Sequence, residues 1–134
     1  MEHKIKILIV EDEVITSRYL EMGLQKSGYP LVQCATSGEK AIELAEKENP
    51  DVVIMDYSLR GNLNGFDAAT IIGHFCTPLF IFISAFMELD SNESLEIFKS
   101  AVFFPKPILL SDIITIITQW ENKLGDNNNP LYPF

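Results

Sequence analysis

The chain has 134 residues, of which 47% are apolar, and this size and composition suit one compact domain with its own core. Acidic residues outnumber basic residues by 19 to 10, and the formal charge of -9 disfavours direct binding to nucleic acid. The apolar run at residues 5–10 is too short for a signal peptide or a membrane span. Cys34 and Cys76 lack CxxC spacing and are expected to be reduced thiols. We therefore expect a cytoplasmic protein that contacts neither nucleic acid nor membrane.

Five short apolar segments, rich in β-branched residues, predict strands. They lie at residues 5–10, 31–35, 51–55, 79–83 and 101–104. The first, third and fourth segments are almost continuously apolar, which is typical of parallel strands that are covered on both faces. A parallel sheet of this kind requires a crossover helix between successive strands.

The first interval between strands carries a helical pattern. Ile15, Leu20 and Leu24 predict a helix over residues 14–27, and Gly28 suits the left-handed turn that follows a helix.

The later intervals also predict helices. The segment Thr36-Ser37-Gly38-Glu39 has the spacing of a capping box, which predicts a second helix over residues 37–48. Further helices are predicted from Gly65 through Phe75 towards Pro78, more weakly over 91–99, and over 110–124.

Strands that alternate with helices indicate a doubly wound α/β domain with a five-stranded parallel sheet, as in flavodoxin-like proteins. The common strand order for such a sheet is 2-1-3-4-5. We expect this domain to span residues 1–124, followed by a loose, turn-rich tail over residues 125–134. Ligands of these sheets bind beyond the carboxyl ends of the strands, near the point where the strand order reverses.

Polar residues stand at the predicted carboxyl ends of four strands. Glu11 and Asp12 follow the first strand, and Asp56 follows the third. Ser84 and Lys106 follow the fourth and fifth strands. Three carboxylates at one edge would repel one another unless a cation joined them, and Mg²⁺ is the hard cation that prefers such oxygen ligands. A carboxylate beside Mg²⁺, a hydroxyl and an ammonium can accept a phosphoryl group, which makes Asp56 the candidate nucleophile.

Several segments together resemble the receiver domains of response regulators in two-component signalling, including the chemotaxis receiver. The matching segments are Glu11-Asp12-Glu13, residues 56–61 with Gly65, Ile83-Ser84-Ala85, and Phe103-Phe104-Pro105-Lys106-Pro107. The resemblance extends from about residue 4 to residue 124 and implies the 2-1-3-4-5 sheet independently of periodicity. It also implies a histidine kinase or a phosphotransfer protein as the phosphoryl donor.

The resemblance assigns a Mg²⁺ site. It implies that Asp12, Asp56 and the backbone carbonyl of Ser58 are ligands, and that Glu11 holds the ion through water.

The resemblance also assigns the phosphoryl site and a switch. It implies that Asp56 is phosphorylated while Lys106 and Ser84 contact phosphoryl oxygens. Phe103 matches the switch aromatic, which is expected to turn inward when Ser84 moves. The bond between Lys106 and Pro107 is expected to be cis.

Two features depart from the common family pattern. The loop over residues 57–64 is one residue longer than in many receivers. Phe103 replaces the commoner tyrosine, so the switch aromatic has no hydroxyl to hydrogen-bond in its outward position.

Three alternatives compete with a phosphorylated receiver. A degenerate receiver that binds partners without phosphorylation is disfavoured because every expected site residue is present. An aspartate-nucleophile phosphatase needs a second acid at the position of Ser58. A flavin carrier needs a phosphate loop where this chain has Glu11 and Asp12, whose charges repel phosphate. We do not expect a turnover enzyme, since a receiver assists only its own phosphorylation and dephosphorylation.

The expected output surface is apolar. The fifth strand and the last helix lack the charge pattern of receivers that dimerise to bind DNA. We expect a protein partner to contact an apolar surface instead, formed by Val102, Phe104 and Ile116 with Ile97 near it. Residues 107–134 leave room for one helix and a tail, so the chain is either a stand-alone receiver or a piece of a longer protein. The sequence identifies neither the kinase nor the output.

Overall fold

The computed structural model describes residues 4–85 and 96–124. Within these ranges the elements, in chain order, are β1 (Ile7–Val10), α1 (Val14–Lys26), β2 (Val32–Ala35), α2 (Gly38–Glu48), β3 (Val52–Asp56), α3 (Gly65–Ile72), β4 (Leu79–Ser84), β5 (Ser100–Pro105) and α4 (Leu110–Leu124). The strands form one parallel sheet with the order β2-β1-β3-β4-β5. The predicted doubly wound, flavodoxin-like fold and its strand order are therefore confirmed.

The sheet has a hydrophobic core on each face. Alternation along β1 sends Ile7 and Ile9 to one core and Leu8 and Val10 to the other. The first core includes Leu20 and Leu24 of α1 and Ile113 and Ile117 of α4, and the second includes Ala41, Ala45, Ala68, Ala69 and Ile72 of α2 and α3. Because both faces are covered, the central strands need apolar residues at every position, which explains their continuous apolar runs.

Helix α1 agrees in its bounds with the sequence but not in its apolar face. Gly28 adopts a φ of 98° in the turn after the helix, as expected. Ile15 was expected on the buried stripe, but it is 86% exposed, and Leu20 and Leu24 face the core. The prediction for Ile15 was wrong because five residues separate it from Leu20, and at 3.6 residues per turn this places the two side chains about 140° apart around the helix.

Helices α2 and α3 differ from the predictions at their ends. Ser37 caps α2 by accepting a hydrogen bond from the Lys40 N–H at 3.1 Å, so the expected cap at Thr36 was wrong by one residue. Helix α3 ends at Ile72 rather than near Pro78, because Gly73, a poor helix former, stands at its C-cap.

The remaining predictions near the carboxyl end concern segments that are only partly described. The tail over 125–134 lies outside the described residues, as does most of the predicted helix over 91–99. Its last part, residues 96–99, forms turns and bends instead of helix. Among the described residues, no helix is both long enough and apolar enough to cross a membrane.

The register of the strands brings the candidate site residues to one edge of the sheet. Val10 lies beside Met55, Met55 beside Phe82, and Phe82 beside Phe103. The residues that follow Val10 and Met55 in the chain, Glu11 and Asp56, therefore lie at the same level. This level is the carboxyl edge of the parallel sheet.

Candidate functional site

Three carboxylates meet at the carboxyl edge of the sheet. Glu11, Asp12 and Asp56 each offer one oxygen, and these oxygens lie within 4.8 Å of one another. Glu11 and Asp56 are only 4% and 5% exposed, because each leaves the end of a buried strand. An all-oxygen donor set of this kind suits a hard divalent cation and offers none of the sulfur or nitrogen ligands that softer metals prefer.

Lys106 supplies a positive charge from the other side of this carboxylate cluster. Its Nζ lies 3.4 Å from Asp56 Oδ2 and 3.7 Å from Glu11 Oε1. Burial lowers the pKa of Lys106, but the charges of Asp56 and Glu11 outweigh burial and raise it above its ordinary value. The Lys106-Pro107 peptide bond is cis, as expected from the resemblance.

Glu11 is the carboxyl group of the cluster whose ionisation is disfavoured by burial. Burial raises the pKa of its carboxyl group from 4.5 to about 7, and the neighbouring charge of Asp56 acts in the same direction. The Glu13 N–H, which donates to Glu11 Oε2 at 3.1 Å, and the charge of Lys106 oppose this rise. A cation bound at the cluster would offset part of the cost of ionising Glu11, because an opposite charge nearby favours the ionised carboxylate.

Asp12 lies at the outer rim of the cluster and pairs with Arg60. The Arg60 Nε donates to Asp12 Oδ2 at 2.9 Å, and the Arg60 backbone N–H lies 3.4 Å from the same oxygen. Burial raises the pKa of Asp12, but the hydrogen bonds and charge of Arg60 outweigh burial and lower it. No role was predicted for Arg60 from the sequence, although a basic residue four positions after Asp56 is visible there.

The loop after Asp56 is held close to the end of β3. The Ser58 N–H donates to Asp56 Oδ1 at 3.0 Å, and the Gly65 N–H donates to the Tyr57 carbonyl at 3.1 Å. A β-carbon at Gly65 would collide with the carbonyl oxygen of Asp56 and crowd the Tyr57 Cα. These hydrogen bonds hold both ends of the loop close to Asp56.

Ser84 is the last residue of β4, and Phe103 lies within β5. Ser84 is 1% exposed and accepts the Lys106 backbone N–H on its carbonyl at 2.7 Å. Phe103 is half-buried, and its ring meets the ring of Tyr57 edge-on with centroids 6.2 Å apart. Tyr57 also contacts Phe66 and Phe82, a role that the sequence analysis did not foresee.

Comparison with known proteins identifies the family that the sequence motifs resemble. Residues 7–118 match the response regulator receiver domain. The chain is 34% identical over 112 residues to the transcriptional regulatory protein PdtaR of Mycobacterium tuberculosis, an alignment that covers 84% of this chain and 54% of that protein. The chain therefore spans about half the length of this relative.

Solved structures have the same fold. The N-terminal domain of a response regulator/sensory box/GGDEF three-domain protein from Carboxydothermus hydrogenoformans is 27% identical with a TM-score of 0.75, covering 89% of this chain and 98% of that one. A response regulator receiver protein from Sinorhizobium medicae, 24% identical, has a TM-score of 0.78 and covers 90% and 96% respectively. The chain belongs to the response regulator receiver domain family, whose members act in two-component signalling.

Proposed function

We propose that this receiver accepts a phosphoryl group on Asp56 from the phosphohistidine of a histidine kinase or a phosphotransfer protein. The observation that carries the proposal is the contact of Lys106 Nζ with Asp56 at 3.4 Å inside the cluster of three carboxylates. A nucleophilic carboxylate flanked by a fixed ammonium and by oxygen ligands for a cation meets the electrostatic needs of phosphoryl transfer.

Mg²⁺ is the proposed cation. Asp12, Asp56 and the carbonyl of Ser58 would be its ligands, and Glu11 would hold it through water. The mutual closeness of the three carboxylate oxygens supports this assignment. When bound, the ion would compensate the charge that develops on the phosphoryl oxygens.

The transfer step uses the carboxylate of Asp56 as the nucleophile. One of its oxygens forms a bond to phosphorus while the bond from phosphorus to the donor imidazole nitrogen breaks. The electron pair of the broken bond returns to that nitrogen, which takes a proton. Lys106 Nζ pairs with a phosphoryl oxygen, and Ser84 donates its hydroxyl to another oxygen.

Surface residues beside the carboxylate cluster support a protein as the phosphoryl donor. Val14 and Ile15 at the start of α1 are 62% and 86% exposed, and Leu109 before α4 is 65% exposed. They are adjacent in sequence to Glu13, Thr16 and Ile108, which line a groove of about 260 Å³ together with Glu11 and Lys106. Exposed apolar residues grouped around a reactive group indicate a surface that a partner covers. The donor would dock here while its phosphohistidine reaches Asp56.

The proposed output is a change at β5. Phe103 turns inward on phosphorylation, and the half-buried Val102, Phe104 and Ile116 provide an apolar contact for a downstream protein. This output involves no direct DNA contact, in keeping with the net charge of -9.

We further propose that the chain is no turnover enzyme. A cytoplasmic location fits its two free thiols, Cys34 and Cys76.

The phosphorylation site can be tested with a small acyl phosphate and Mg²⁺. Intact-mass measurement should detect one added phosphoryl group on the wild type and none on Asp56→Asn. Asp67→Asn, which removes a carboxylate from an exposed position of α3, is the matched control and should be labelled like the wild type. Equal labelling of wild type and Asp56→Asn would disprove the assignment, and no labelling of the wild type would favour a degenerate receiver.

The switch can be tested by amide exchange with a beryllofluoride adduct at Asp56. Protection should change over residues 100–105, which form β5. Unchanged exchange there, in protein shown to carry the adduct, would contradict the switch.

A further inference from the structure

Arg60 brings a second positive charge to the carboxylate cluster, in addition to Lys106. It lies in the loop after Asp56, and its side chain is 81% exposed while that of Asp12 is 17% exposed. Gly61, with a φ of 107°, turns the chain directly after Arg60. The turn and the backbone contact of the Arg60 N–H with Asp12 direct the side chain towards the rim of the site.

Lys106 and Arg60 pair with different carboxylates of the cluster. Lys106 contacts Asp56 and Glu11, whereas the ion pair of Arg60 within residues 4–85 and 96–124 is with Asp12. Asp12 Oδ2 accepts one hydrogen bond from the Arg60 Nε and another from the Arg60 backbone N–H, so one oxygen of this carboxylate is already engaged by Arg60. A metal ion that binds Asp12 must share or displace that contact.

We propose that Arg60 competes with the divalent cation for Asp12 and so lowers the metal affinity of the unphosphorylated receiver. The proposal rests on the proposed function, in which Asp12 is a metal ligand. The contact is largely exposed, and exposed ion pairs are weak, so Arg60 moderates metal binding without preventing it.

The effect of Arg60 on metal binding should depend on whether Asp56 is phosphorylated, because phosphorylation changes the net charge of the site. A divalent ion with Lys106 and Arg60 carries four positive charges, against three on the carboxylates before phosphorylation. A phosphoryl group on Asp56 replaces one negative charge by about two, so the positive excess disappears. The cost that Arg60 imposes on metal binding is therefore largest before phosphorylation, and Arg60 favours the phosphorylated state relative to the unmodified one.

The experiment measures Mn²⁺ binding to the unmodified protein by the loss of the free-ion electron paramagnetic resonance signal. Arg60→Gln removes the charge and keeps the backbone contact with Asp12, and it should lower the dissociation constant about three- to tenfold. Arg60→Lys keeps the charge and should stay near the wild type. Arg18→Gln is the matched control, because Arg18 is also exposed and pairs with Glu21 at 3.9 Å instead of with the cluster.

The outcomes separate this proposal from the function on which it rests. No saturable Mn²⁺ binding by the wild type would overturn the metal site and the competition together. Saturable binding that Arg60→Gln leaves unchanged or weakens would overturn the competition alone. Equal tightening by Arg18→Gln would also overturn it, since net charge would then explain the effect, as would equal tightening by Arg60→Lys.

Discussion

Replacing Glu11 with glutamine should change how the stability of the metal-free protein depends on pH. Glu11 is buried beside Asp56, and burial raises the pKa of its carboxyl group to about 7. Glutamine has nearly the same shape and can still accept the Glu13 N–H, which Glu11 accepts at 3.1 Å. The substitution therefore removes the ionisation of this side chain while the local hydrogen bond is retained.

The magnitude follows from proton linkage. A carboxyl group whose pKa is higher in the folded state favours folding while it is protonated, so its contribution is complete below the unfolded value of 4.5 and is lost as pH rises through about 7. At about 1.4 kcal/mol per pKa unit, the wild type should lose about 3 kcal/mol of stability across this window through Glu11. Asp12 works in the opposite direction because its pKa is lowered, and it is common to both proteins.

Urea unfolding in the presence of a chelator, at pH 4.5 and pH 8, measures the effect. Glu11→Gln should equal the wild type near pH 4.5 and exceed it by up to about 3 kcal/mol at pH 8. Glu43→Gln, which removes a carboxylate with 68% exposure, should follow the wild type at both values. An equal difference in stability between wild type and Glu11→Gln at both pH values would refute the linkage of Glu11 ionisation to folding.

Three further predictions concern the metal, a glycine and a buried hydroxyl. Mg²⁺ at a hundredfold excess over its dissociation constant should stabilise the wild type by about 2.7 kcal/mol in thermal melting, and a similar gain in Asp12→Ala would contradict the ligand set. Gly65→Ala should destabilise the fold by about 1–3 kcal/mol in urea, because its β-carbon meets the carbonyl of Asp56; an unchanged midpoint would contradict this. Tyr29→Phe should cost about 0.5–1.5 kcal/mol in the same assay, since its hydroxyl lies 3.1 Å from that of Thr118, and no loss would show that this contact is dispensable.

The sequence alone was sufficient for the fold and for the location of the site. Continuous apolar strands separated by helical periods predicted a parallel sheet with covered faces, because the period of side chains is a local property of each element. The topology of such sheets then brought Glu11, Asp56 and Lys106 to one edge, although they lie far apart in the chain. The ends of helices were less predictable, as the cap at Ser37 instead of Thr36 illustrates, since neighbouring polar residues compete for one cap.

The tertiary structure decided which residues at that edge meet. The pairing of Arg60 with Asp12 depends on the path of the loop after β3 and joins residues 48 positions apart. The contact of Tyr57 with Phe103 depends likewise on the packing of β5 beside β4. Ile15 has the same apolar character as Leu20, yet only Leu20 faces the core, because the sheet covers one side of α1. Sequence pattern specifies the period of an element, whereas the direction and partner of each side chain follow from the surfaces that pack against it.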